Sequence, residues 1–251
     1  MMKKIIAIFV VFLLCSCDSE DASDCFQTTG ELTSKTIGID TFDRILVNRN
    51  IELTIIQGSE LKAFIETGEN LMNDVEVHVI DGELQLTDNN TCNLFRNYDP
   101  TKITITTPTS FYQIRSSTQF EVKSEGVLTL DELQLFSEDF NAEESFNVGD
   151  FRLQLDVEEL IVVSNNISVF YISGTTNKLT VGFYAGAGRF EGANLIAQSV
   201  NIFHRGSNDI IVNPQELLTG ELVSTGDVIS KNKPEIVEVD TKYKGQLYFQ
   251  E

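Results

Sequence analysis

Tryptophan is absent from this chain of 251 residues. Histidine occurs twice, cysteine and proline four times each, and acids outnumber bases 38 to 18. Each shortage excludes something. His78 and His204 have no second His or Cys beside them at ligand spacing, which argues against a zinc site. No G-x-S-x-G elbow is present, so a Ser-His-Asp triad through His204 and Asp209 lacks a presented nucleophile. The stretch GAGRFEG (Gly186–Gly192) spaces its glycines G-x-G-x-x-x-G, and no helical pattern follows to receive a phosphate. It reads as tight corners of the chain. Neither the EF-hand pattern nor the RTX nonapeptide occurs. A formal net charge of −20 repels nucleic acid and anionic headgroups, so neither is expected as a partner. No catalytic residue, metal ligand or cofactor is assigned.

Long apolar runs are also missing, with one exception. After Lys3 and Lys4, Ile5 to Leu14 form an apolar stretch of about ten residues, the length of a secretory h-region and well short of a membrane span. Leu14, Cys15 and Ser16 then precede Cys17 in a pattern that resembles a bacterial lipobox. The resemblance implies cleavage before Cys17 and acylation of its thiol and new amine. Two or more acyl chains anchor stably where one binds marginally. Residues 1–16 are therefore expected to be a lipoprotein signal peptide, and residues 17–35 an acidic tether carrying Asp18, Glu20, Asp21 and Asp24. An acidic run directly after the lipidated cysteine resembles a surface-export signal of one group of Gram-negative bacteria. That predicts an outer-membrane lipoprotein exposed at the cell surface. Cys25 and Cys92 remain; outside the cytoplasm an even remainder of two predicts one disulfide, with a buried free pair as the alternative.

What the chain has in abundance is period-2 alternation. Ile45/Val47, Ile51/Leu53/Ile55, Val75/Val77/Val79, Leu84/Leu86 and Ile103/Ile105 each alternate with polar residues, and Asp81-Gly82 marks a hairpin turn. The only helix-tolerant patch lies at Glu69–Asp74. From Phe111 onward the pattern recurs: an apolar-x-apolar strand, a turn of Gly, Asn or Ser, then an apolar residue. These closing residues are Phe120, Phe140, Val169, Phe190, Ile210 and Val228, about 20 apart except across SFNVGDFRLQLD (Ser145–Asp156), which reads as an insertion or an out-of-register coil. Such a period suits one turn of a parallel β-helix, in which no coil buries its apolar residues alone. Crossovers between parallel strands are nearly always right-handed.

The expected fold is therefore all-β, a right-handed parallel β-helix with an N-terminal β region; a β-sandwich is the rival. One domain is expected over 36–251, with the N-terminal β portion at 36–110 and repeat coils at 111–251. The closing residues should point inward. Gln119, Asp139, Ser168, Arg189, Asp209 and Asp227, each one residue earlier, should point outward, with Arg189 beside Asp209.

Several segments together resemble the family described as putative auto-transporter adhesin, head GIN domain. They are FDRILVNRNIELTIIQG (Phe42–Gly58), ETGENLMNDVEVHVIDGELQL (Glu66–Leu86), the proline-ended strand ITITTP and the serial turns that end with STGDV (Ser224–Val228). The resemblance implies a β-helical protein attached to the cell envelope. The chain departs from the family's Ser-Gly-Ser-Gly turns at SSTQ, SEDF and SNNIS, and the shared pattern holds no functional motif.

Two functional expectations follow. The first is a non-enzymatic, lipid-anchored binding or structural module, adhesin-like, whose partners are glycans or surface proteins of the envelope or a host. On it, Tyr171, Phe183 or Tyr184 would stack on sugar rings, or else belong to the core. The second is a polysaccharide lyase or glycoside hydrolase using Glu138, Asp139, Glu143, Glu144, Asp156, Glu158 and Glu159, with Arg152 as the lone base among them. That reading needs two carboxylates in one cleft, near Arg189, Arg205 or Lys178.

Overall fold

A computed structural model describes residues 28–90, 99–108, 110–138 and 146–250. Cys17, Cys25, Cys92, Asp139, Phe140, Glu143 and Glu144 lie outside the described residues, as do the leader and the acidic run.

Alternation becomes strands wherever the sequence carries it. The N-terminal part contains β1 (Leu32–Gly38), β2 (Arg44–Val47), β3 (Ile51–Gln57), β4 (Lys62–Gly68), β5 (Val75–Ile80), β6 (Glu83–Asp88), β7 (Thr101–Thr107) and β8 (Gln113–Ser116). Asp81 and Gly82 both take positive φ, 49° and 78°, the conformation of a tight hairpin turn, and β5 and β6 pair antiparallel across it. Pro100 and Pro108 bound β7 because proline cannot donate to a ladder. The helix-tolerant patch yields a single 3₁₀ turn at Met72–Asp74.

The second part holds the long strands β9 (Val122–Ser137), β10 (Phe151–Ser164), β11 (Val169–Phe183), β12 (Arg189–His204) and β13 (Ile210–Leu222), then the short β14 (Val228–Ser230), β15 (Ile236–Thr241) and β16 (Leu247–Phe249). β9 to β13 pair in chain order, every pairing parallel. β13 then pairs along its first residues with β14 and along its last with β15, and β14 pairs with β16. The N-terminal part joins at two places: β3 pairs with the start of β9 and β8 with its end. Among the described residues, sixteen strands form one mixed sheet. The sandwich of two antiparallel sheets is not what these pairings make.

Parallel pairing puts equivalent residues on top of one another, and the core follows. Val122, Phe151, Phe170, Phe190, Ile210 and Val228 are aligned by register and fully buried. A second file, Leu135, Val162, Val181 and Ile202, runs through the same strands. Phe151 and Phe170 stack with centroids 4.9 Å apart, close to the spacing between strands. In each of β9 to β12 the alternation breaks at two consecutive outward residues, Asp131-Glu132, Glu158-Glu159, Asn177-Lys178 and Gln198-Ser199, and it breaks again nearer the start of β9, β11 and β12. Gly174, with φ 112°, permits the closest approach, since a Cβ there would lie 1.9 Å from the Leu155 carbonyl oxygen.

The expected register holds from Phe190 onward and fails before it. Phe190, Ile210 and Val228 point inward, and Arg189 meets Asp209 at 2.7 Å. Phe120 and Val169, however, are only half-buried; Val122 and Phe170 take the inward places. Ser168, expected outward, is buried and bonds Ser137 through its hydroxyl. In SVF the apolar pair Val169-Phe170 offers two phases, and the larger ring wins the interior. FRLQLD is not an insertion: it opens β10, aligned residue for residue with β11, while its register against β9 shifts between Arg152 and Gln154. The extra length lies in the connection of residues 138–150, where later connections are the shorter 165–168, 184–188 and 205–209.

Candidate functional site

The regular ladder is interrupted chiefly at one level, with a further shift between β12 and β13 after Ala197. Opposite Leu153 of β10, β9 carries three residues between Lys123 and Val127; opposite Ile172 of β11, β12 carries two between Glu191 and Asn194; and against β13, β12 carries four between Glu191 and Ile196. A β-bulge bends its strand and re-aims the neighbouring side chains. The bulges of β9 and β12 lie on either side of β10 and β11, which keep their register with each other, and the four strands together form a groove. In β12, Gly192 makes room for it, because a Cβ there would meet the Phe190 ring at 2.3 Å.

The groove, of about 360 Å³, is lined by Ser124, Arg152, Gln154, Tyr171, Glu191 and Asn194, with Leu153 and Ile172 forming part of its floor. Its charged groups are already matched. The Arg152 guanidinium lies over the Tyr171 ring, 4.2 Å from the centroid, and its Nε donates to Glu121 Oε1 at 2.7 Å. Glu191 accepts from Arg189 Nε, and Arg189 also donates to Asp209 and Asn208. Burial pushes the Arg189 pKa down, but these two carboxylates outweigh it and leave it raised. Ser124 Oγ accepts the Gln154 backbone N–H at 2.9 Å, so its own hydroxyl proton remains available to a ligand.

The other candidates from the sequence disperse. Phe183 is fully buried against Phe170 and His204, so it cannot stack on a sugar. Tyr184 is exposed and packs beside Phe203. His204 ends β12. It is fully buried, with Nε2 bonding the Asn208 carbonyl and Nδ1 accepting the Gly206 N–H, and burial lowers its pKa. Asp209 does not bond its ring: the carboxylate is turned to Arg189. Gly186–Gly192 spans a connection and the start of β12, without a helix.

The middle acids are spread along outward positions. Glu138 pairs with Arg115, Asp156 accepts from Thr175, and Glu158 accepts from Asn177. Glu158 and Glu159 both face out because the alternation breaks between them. The groove contains one carboxylate, Glu191, so the paired acids of a glycosidase are not assembled there. Among the described residues no group of three His, Cys, Asp or Glu side chains is placed to hold a metal. The groove itself is only partly legible in the sequence, where Tyr171 stands out as an aromatic and Arg152 as a lone base with nothing to bring them together.

Residues 41–234 match the family described as putative auto-transporter adhesin, head GIN domain. The chain belongs to this family. The solved structure of a putative adhesin from Bacteroides fragilis NCTC 9343 is similar at 23% identity and a TM-score of 0.79, covering 89% of this chain and 99% of that one. A putative adhesin from Parabacteroides merdae ATCC 43184 is similar at 18% identity and a TM-score of 0.62, with 89% and 98% covered. A structure titled putative lipid binding protein, from Parabacteroides distasonis ATCC 8503, is similar at 16% identity and a TM-score of 0.60, with 88% and 98% covered. At these identities the likeness is one of fold. No curated protein matches the chain.

Proposed function

We propose that this family member is a non-enzymatic, adhesin-like binding module, held at the outer membrane by lipid on Cys17 and displayed at the cell surface. Its partners are glycans or proteins of the envelope or of a host surface. The observation that carries the reading is the groove across β9 to β12, bordered by the bulges of β9 and β12. It has side chains suited to binding and no assembled acid pair. The family's description as adhesin and the adhesin titles of similar structures support it.

The architecture we propose for the parallel part is a right-handed β-helix. A 14-residue strand such as β10 would reach roughly 46 Å if straight, whereas four residues span at most about 14 Å. Only four residues, 165–168, separate the end of β10 from the start of β11. Since β11 pairs beside β10 in parallel, β10 must turn back upon itself within its own length, and the doubled outward residues are where it does so. The right hand follows from the general preference of parallel crossovers. Cys25 and Cys92 are proposed to form one disulfide, which on the entropic account would stabilise by roughly 4 kcal/mol.

Fractionation of cells expressing the full chain tests the display. The wild type is expected in the outer-membrane fraction and should be digested by protease added to intact cells, and Cys17→Ser should lose membrane attachment. A wild type protected from protease, or a C17S variant that stays bound, contradicts it. Retention of the expressing cells on glycan- or protein-coated surfaces tests binding; equal retention of cells lacking the protein contradicts it.

A further inference from the structure

We infer that the bulge groove is a subsite for an uncharged oligosaccharide lying across β9 to β12, an inference that rests on the binding-module reading above. Four features point to this ligand class. The first is the fixed flat surface. Arg152 lies over Tyr171 and is tied to Glu121, so the guanidinium and ring are held in place before any ligand arrives. A sugar ring has an apolar C–H face that packs against such a surface, and little ordering remains to oppose binding.

The second is the edge chemistry. Ser124, Ser173, Gln154 and Asn194 offer hydroxyl and amide groups around this surface. Each both donates and accepts, the match for a ring of hydroxyls that do the same. The third is charge. Arg152 and Glu191, the groove's two charged residues, are neutralised by Glu121 and Arg189. Binding an acidic saccharide would mean breaking one pair inside a chain of net charge −20. The fourth is shape. About 360 Å³ lies in the range of small-ligand sites. Its lining runs over four neighbouring strands, on the order of 14 Å, which suits a short chain of sugars rather than one ring. A peptide added as an extra strand would need a free sheet edge, whereas β10, β11 and β12 are paired on both sides.

The test uses the full chain purified in a non-glycosidic detergent, titrated calorimetrically with cellotetraose, laminaritetraose, mannotetraose and maltotetraose, and with tetragalacturonate as the acidic probe. At least one neutral tetrasaccharide is expected to bind. Tyr171→Ala is expected to weaken it about 10-fold or more. Asn194→Ala, on an exposed side chain with no packing role, should weaken it several-fold with an unchanged melting temperature. Tyr243→Ala, at an exposed residue between β15 and β16, should leave binding unchanged. Binding insensitive to both Y171A and N194A, or confined to tetragalacturonate, overturns the groove assignment but leaves the binding-module reading standing. So does an absence of binding to all five probes while cells bearing the protein still adhere to a protein-coated surface. Absence of both overturns the two together.

Discussion

The two parts of this molecule bury polar atoms in different ways. In the parallel series, aligned apolar residues repeat from strand to strand, and the buried polar side chains there are uncharged Ser, Thr and Asn, with His204. In the N-terminal part a carboxylate goes inside. Asp88 ends β6 and accepts from the Thr101 hydroxyl at 2.7 Å, from the Asn90 backbone at 2.9 Å and from Asn90 Nδ2 at 2.7 Å. The Thr67 hydroxyl in turn bonds Thr101. Here ends of strands running in both directions meet, β4 and β7 antiparallel to each other and β7 parallel to β3. A repeating stack meets its burial problem once and copies the answer. A mixed cap must satisfy each chain end separately, and it does so with a local hydrogen-bond network, which is expensive to leave incomplete.

The same contrast shows at the two ends of the sheet. β1 pairs antiparallel with β4, and β5 with β6, on the β9 side. At the other end β15 and β16 are largely exposed, among them Ile236, Tyr248 and Phe249. Lys231, Lys233, Lys242 and Lys244 flank these last strands, and Lys242 bonds Glu221 at 2.8 Å. Lysines at an edge discourage another chain from pairing there.

Substitutions can break the comparison. The largest effect is expected for Phe170→Ala, which empties the column between Phe151 and Phe190. A loss of about 3–5 kcal/mol in urea unfolding is expected; a loss below about 1 kcal/mol would mean the stack tolerates a missing level. Asp88→Ala should cost roughly 1–3 kcal/mol by removing the buried acceptor that Thr101 and Asn90 share. If cap and stack unfold together, both variants shift one common transition. An early second transition in the Asp88 variant alone would show the cap to be a separate unit.

A smaller effect concerns pH. Burial lowers the folded-state pKa of His204 from its ordinary 6.5, against the Asn208 carbonyl, Asp209 and Asp227, which raise it. The unfolded chain therefore takes up the proton first. His204 supports folding fully above about pH 6.5, and that support is lost as pH falls from there through the lowered folded value. Melting temperatures of wild type and His204→Phe should converge or cross on acidification, whereas a constant gap from pH 7.5 to 5 would contradict the assignment. The smallest effect is Arg189→Ala, about 0–1 kcal/mol for a partly exposed ion pair, and less at high salt.

How far the sequence could be read depended on redundancy. The hairpin at Asp81-Gly82 and the strand between Pro100 and Pro108 were legible because each rests on one local signal. The later register, Phe190 to Val228, was legible because a charged residue, Arg189, Asp209 or Asp227, stands directly before each closing residue and takes the outward place, whereas the uncharged Ser168 stands before Val169. At Val169-Phe170 two apolar neighbours competed, and only packing against Phe151 and Phe190 decides between them. The buried network around Asp88 was invisible because Thr67, Asp88 and Thr101 are far apart in the chain. The groove was hidden for a related reason: a bulge is a property of pairing, and Arg152 meets Tyr171 only once β10 and β11 lie side by side.

The account stands on successive strands lying parallel, one level per repeat. Glu132, Glu159, Lys178, Ser199, Leu217 and Ile236 occupy one position in six successive strands. Spin labels at Glu132 and Ser199, and at Glu132 and Ile236, measure this stack by pulsed electron resonance. Separations of roughly 14 Å and 24 Å between attachment points are predicted, growing by about 4.8 Å per strand. Two equal distances, or a shorter one for the more distant pair, would contradict it.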